Sequence, residues 1–229
     1  MSKKTIRKES FEDFLRELEK SKIESSIQIE TIEERKYFLI VAEGARTEPI
    51  YFNYIKSLLP KNFLDTIVVN GAGDNTVNVV EKSIIERDKR LHEKLRPPFD
   101  EVWAVFDKDD FPDARFNEAV RLAAANGIES GHTNQAFELW YVLHFQFLDT
   151  AIGRKAYFKI LSKILGKSYK KNDISIVKMI FQEGNIRNAI NYANNLESNH
   201  DGKTASASWP VTRVHHLVQR LLDYAKIEY

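Results

Sequence analysis

The sequence predicts an α/β fold, a small parallel sheet flanked by helices and followed by a mostly helical C-terminal half. Three observations carry this. Short apolar runs at 37–42, 66–69 and 102–106 have the length and continuity of strands buried on both faces. Stretches of helical spacing, ten residues or longer, separate them, as in a parallel sheet wrapped by helices. After residue 131 the alternation stops, and helix-like segments continue toward the C-terminus.

Taken in order, residues 1–36 are dense in charge of both signs, with Phe11, Phe14, Leu15 and Leu18 at helical spacing. They read as an arm leading into the core. Tyr37 to Ala42 is the first strand and ends in Glu43-Gly44. Thr47 is the expected N-cap of a helix running to about Leu59, where Pro60 stops it. Thr66 to Val69 is a second strand, and residues 71–75 form a loop whose Gly71-Ala72-Gly73 could cradle a phosphate. A long helix is expected from Thr76 to Leu95, ended by Pro97-Pro98. Val102 to Phe106 is the third strand, 113–126 the next helix, and Gly127 to Ser130 a short fourth strand. Beyond it, Ala136 to Phe147 reads as an aromatic helix, and 151–196 as helices broken at Gly166 and Gly184. Pro210 is expected to open a last helix with the stripe Val214, Leu217, Val218, Leu221 and Leu222. The expected organisation is an arm (1–36), an α/β core (37–132) and a helical region packed on it (133–229).

The 229 residues carry a formal net charge of +1 and no cysteine. Near-neutral charge gives no global pull toward nucleic acid or membrane, so any nucleic-acid contact must use local patches. The clearest is Lys167, Lys170 and Lys171 around Tyr169. Without cysteine there are no disulfides, thiolate zinc sites or thiol nucleophiles, which suits a reducing compartment. No apolar run approaches the roughly 18 residues of a membrane span. The expected location is the cytoplasm, with no membrane partner.

The acids carry the chemistry. Asp107, Asp109 and Asp110 crowd the end of the third apolar run, and Glu43 ends the first. In parallel sheets, ligands bind beyond the carboxyl ends of strands. If the two strands are neighbours, both motifs share one rim and make a hard oxygen site suited to Mg²⁺ or Mn²⁺. The competing reading is that Asp109 or Asp110 caps the helix after Pro112. Glu48 is open between capping the first helix and a supporting role at the rim. Arg46 and Lys108 are candidates for neutralising phosphate charge. Asn134, Glu138 and Tyr141 fall on roughly one helix face, and His144 is a candidate auxiliary group against a background of core aromatics.

Three motifs then stand in series: Glu43-Gly44-x-x-Thr47-Glu48-x-x-Tyr51-Phe52, Asp107-x-Asp109-Asp110-Phe111, and Asn134-x-x-Phe137-Glu138-x-Trp140-x-x-x-His144-Phe145. In that order they resemble the RloB-like family, associated with anti-phage and restriction-linked loci of bacteria and archaea. That family is similar to the Toprim superfamily, whose small parallel sheet carries a glutamate after the first strand and D-x-D after a later one. The resemblance spans about residues 36–145, with a looser likeness through Pro210-x-Thr212. Gln135 departs from it, standing where the family pattern has proline.

The resemblance implies a metal-dependent endonuclease. Glu43 would be the acid/base or metal residue, Asp107 and Asp109 the ligands, Asp110 an auxiliary ligand, and Glu138 part of the N-x-x-F-E segment. It also implies RNA (tRNA among the candidates) or DNA as substrate and an ABC- or AAA-type ATPase as partner; a homodimer is an open alternative. A nucleic-acid-binding or regulatory module without activity is the rival reading, and a small-nucleotide phosphatase a third.

Overall fold

The structure, a computed structural model, describes residues 16–17, 20, 35–44, 47–59, 67–71 and 75–227. The expected helical stripe Phe11, Phe14, Leu15 and Leu18, together with Arg46 and the Ala72-Gly73 turn, lies outside the described residues.

The strands are β1 (Phe38–Ala42), β2 (Ile67–Gly71), β3 (Glu101–Val105) and β4 (Glu129–Ser130), all parallel, in the order β2-β1-β3-β4. Phe38 pairs with Ile67 on one side and Glu101 on the other, so the three long strands end level. Helices α1 (Thr47–Leu58), α2 (Thr76–Leu91) and α3 (Asp113–Ala125) make the crossovers. The chain leaves β1 toward β2, whereas β3 lies on the opposite side of β1. The β1–β3 junction is therefore a topological switch point, where crossovers diverge and open a crevice at the strands' carboxyl ends.

Every residue of β1 is buried, and its period-2 alternation divides two cores. Leu39 and Val41 join Val102, Ala104 and Phe106 under α2 and α3. Phe38, Ile40 and Ala42 join Trp103 and Val105 in a larger cluster with α1 and the C-terminal helices. The aromatic C-terminal half thus covers one face of the sheet.

That half contains β5 (Thr133–Asn134), α4 (Glu138–Leu143), α5 (Arg154–Leu165), α6 (Ile174–Glu183), α7 (Ile186–Ser198), a 3-10 turn (Ala205–Ala207), β6 (Val211–Thr212) and α8 (Val214–Tyr224). Gly166 and Gly184 cap the ends of α5 and α6, as their positions in the sequence predict. Three boundaries differ from expectation. The aromatic helix is short, all six residues of α4 being buried. Helix α2 ends at Leu91, before the prolines, with the His92 N–H closing its last turn. Pro210 opens a strand rather than a helix: Val211 and Thr212 pair antiparallel with β5, the Thr133 and Thr212 hydroxyls meet at 2.9 Å, and α8 starts at Val214. Pairing with a distant partner overrides the local helix signal there.

Candidate active site at the carboxyl rim

Beyond β1 the ladder continues for one more bond, from the Glu43 N–H to Val105 O at 2.8 Å. The Asp107 N–H then donates to Glu43 Oε2 at 2.8 Å, which clips the two strand ends together. On its other side Asp107 bridges to Thr133, and its Oδ2 accepts the Phe137 N–H at 3.0 Å. Asp107 is thus buried at the switch point, held from three segments of chain.

Neither Asp109 nor Asp110 caps α3. Its N-cap is Pro112, and no side chain bonds there. Asp109 instead takes a left-handed turn (φ 46°) and pairs with Arg154 of α5. Gln135 clamps this turn twice: Asp109 N–H donates to Gln135 O at 3.0 Å, and Gln135 Nε2 donates to Asp109 O at 2.9 Å. A proline at 135 has no side-chain amide for the second bond. Asp110 is exposed on the turn. Lys108 faces away from the rim, bonded to Phe111 O and 3.1 Å from Asp113.

Two further carboxylates press on the same space. Thr47 is the first residue of α1, and its hydroxyl donates to Asn172 Oδ1 at 3.2 Å. The next residue, Glu48, folds its carboxylate so closely over Gly44 that a Cβ there would collide with Glu48 Oε2. A side chain at 44 would displace the Glu48 carboxylate from this position. At the start of α4, Glu138 is fully buried, accepts the Tyr169 hydroxyl at 3.0 Å and lies 3.5 Å from Lys171 Nζ. The Lys167–Lys171 stretch is therefore not a plain solvated face: Tyr169 and Lys171 are directed at an acid.

The electrostatics follow from this crowding. Burial, with Glu48 and Asp109 nearby, pushes the Glu43 carboxyl up to about 7, against the opposing pull of the Asp107 N–H and Arg154. Burial and the charges of Glu48, Glu138 and Glu43 push Asp107 well above the usual carboxylate range. Glu48 is raised too, by burial first and then by Glu138. Buried Oε2 atoms of Glu48 and Glu138, and the Tyr141 and Tyr157 hydroxyls, lack hydrogen-bond partners. Concentrated negative charge with orphaned carboxylate oxygens fits a divalent cation. The set is open: among the described residues, the only group of three or more acids and histidines with all ligand atoms within 4.8 Å of one another is Glu197, His215 and His216, elsewhere in the chain.

Residues 38–221 match the RloB-like protein family. The chain belongs to the RloB-like family. No curated protein and no solved structure matches it.

Besides Lys108, two candidate residues of this RloB-like chain are not brought to the rim. Asn134 Nδ2 donates to Ser206 O at 2.9 Å, fastening β5 to the 3-10 turn. His144 lies in the aromatic core against Trp140, Tyr51 and Phe181, with Nδ1 2.9 Å from Trp140 O. Burial pulls its pKa down to about 4, so the ring is neutral at pH 7. In the other direction, nothing in the sequence singled out Arg154. It is a lone arginine in an amphipathic helix, and only the packing of α5 brings it to Asp109. Among the described residues, no helix is long and apolar enough to cross a membrane.

Proposed function

We propose that this chain is a divalent-metal-dependent nuclease that hydrolyses phosphodiester bonds of RNA or DNA. One observation carries the reading. Glu43 and Asp107 are joined across neighbouring strands at the switch point, within a crowd of buried carboxylates. Glu43, Asp107 and Asp109 would hold Mg²⁺ or Mn²⁺, which supplies Lewis-acid polarisation of the phosphate. Glu48 and Glu138 complete the negative wall behind them. Where Asp107 and Asp109 hold the ion and Glu43 does not ligate it, a Glu43 carboxyl that burial raises to about 7 in the metal-free chain is suited to accept a proton from the attacking water. Arg154, about a third exposed beside Asp109, offers a planar donor fork to a phosphate oxygen, and Lys171 a second positive charge. In this reading Lys108 anchors the turn, and Asn134 and His144 support the fold.

The proposed role is in anti-phage defence, as the effector of a partner ATPase, and membership of the RloB-like family supports it. A second reading has its own support. Arg154 already neutralises Asp109 and Lys171 lies beside Glu138, so the rim could serve a binding or regulatory module that needs no metal.

Labelled RNA and DNA, incubated with Mg²⁺ or Mn²⁺, separate the two. The nuclease reading expects metal-dependent cleavage that Asp107→Asn abolishes while circular dichroism stays unchanged. The asparagine side chain of this variant can still accept the Phe137 N–H through its carbonyl, so the fold keeps its clip. Tight binding that is indifferent to Mg²⁺, with no cleavage of either polymer alone or with the partner ATPase, would favour the module.

A further inference from the structure

A second cluster lies away from the rim, where α7 meets the β6–α8 turn. Glu197, His215 and His216 bring one ligand atom each within 4.8 Å of the others. Glu197 Oε2 is 2.7 Å from His216 Nε2 and 3.3 Å from His215 Nε2. We propose that these three residues form a binding site for a transition dication of the Zn²⁺ class, separate from the acidic rim.

The side chains around the cluster have the arrangement a metal site requires. His215 is fully buried, and its Nδ1 lies 3.0 Å from Thr212 O. With the proton on Nδ1 donating to that carbonyl, the Nε2 lone pair faces Glu197. This fixed tautomer is the usual outer-shell device of ligating histidines. His215 Nε2 is buried 3.3 Å from Glu197 Oε2 and poorly aligned for a hydrogen bond with it, so an ion between the two can take up the nitrogen's lone pair. Arg213 Nε approaches the other oxygen, Glu197 Oε1, at 3.3 Å, which leaves Oε2 turned toward the histidines. His216 is about a third exposed and lines a groove of about 790 Å³ together with Arg213 and Arg220. The groove gives an ion a way in and a place for water as a fourth ligand.

The ligand set selects the ion, since the positive charge of Arg213 and of the N-terminal end of α8 opposes every dication alike. Two imidazoles and one carboxylate favour Zn²⁺, Co²⁺ or Ni²⁺ over Mg²⁺, which prefers oxygen ligands.

The test is calorimetric titration of the full chain with Zn²⁺ in millimolar Mg²⁺, together with the visible spectrum of the Co²⁺-loaded protein. One equivalent should bind, with intense absorption from low-coordinate Co²⁺. Glu197→Gln and His216→Gln alter partly exposed residues and spare the buried His215, and each should weaken binding by about tenfold or more. Asp107→Asn combined with Asp109→Asn should leave this equivalent in place. No Zn²⁺ binding to the wild type, or equal binding in the Glu197 and His216 variants, overturns the proposal. Loss of the equivalent in the rim double variant alone also overturns it and assigns the ion to the rim, leaving the nuclease reading intact.

Discussion

Replacing Glu43 by glutamine should make the metal-free protein more stable above pH 7. The fold holds the Glu43 carboxyl at about 7 instead of 4.5, so its proton is bound more tightly in the folded than in the unfolded chain, by about 3 kcal/mol. Between pH 4.5 and 7 the folded chain therefore carries more protons than the unfolded one. Stability falls as pH rises through that window and levels off above it. The Glu43→Gln variant has no such proton to lose, yet its side-chain carbonyl can still accept the Asp107 N–H that Glu43 Oε2 accepts at 2.8 Å. In urea denaturation with EDTA, the two proteins should be closest in stability below pH 4.5, and the variant should gain about 3 kcal/mol on the wild type by about pH 7.5. Removing the Glu43 charge also eases the ionisation of Asp107, which adds to the variant's gain at higher pH, while the more distant acids largely cancel in the comparison. Mg²⁺ should narrow the gap by binding the folded wild type. A difference that stays constant from pH 4.5 to about 8 refutes the reasoning, because it means that the Glu43 carboxyl is solvated like any surface glutamate.

Arg154→Ala breaks a partly exposed ion pair and should cost under about 1 kcal/mol, while weakening nucleic-acid binding and flattening its salt dependence in filter binding at several KCl concentrations. His144→Phe should leave cleavage unchanged and cost about 1 kcal/mol by denaturation, since the ring's contacts are core aromatics. Gly184→Ala should cost about 1–3 kcal/mol, because its Cβ would collide with Ile180 O and lie 2.8 Å from His144 Cβ; thermal unfolding reads this directly.

The apolar runs at 37–42 and 102–106 were legible as buried strands because a strand covered on both faces needs continuous apolar sequence. Glycines 166 and 184 were legible as helix ends for reasons of local backbone and space. The motifs around Glu43, Asp107 and Glu138 were enough to indicate the family. The helical spacing of His144 with Phe137, Trp140 and Tyr141 left it open between a core ring and an auxiliary group, and the rings of Tyr51, Trp140 and Phe181 absorb it into the core. The acids after β3 looked equally like helix caps. Strand order decided against that, by setting Glu43 beside Asp107 and leaving the α3 cap to Pro112.

By itself, then, the sequence determined where the strands and helices of the α/β core lie and which residues can carry charge at their ends, since those depend on neighbours a few positions away. Only the tertiary structure decided which charges meet. Arg154 reaches Asp109 and Lys171 reaches Glu138 because α5 packs on α4 and, with the segment after it, joins the core cluster that holds Phe38, Ile40 and Ala42. Histidines 215 and 216 meet Glu197 because β6 pairs with β5. Such encounters are fixed by burial of apolar surface contributed from distant parts of the chain, and local spacing holds no record of them.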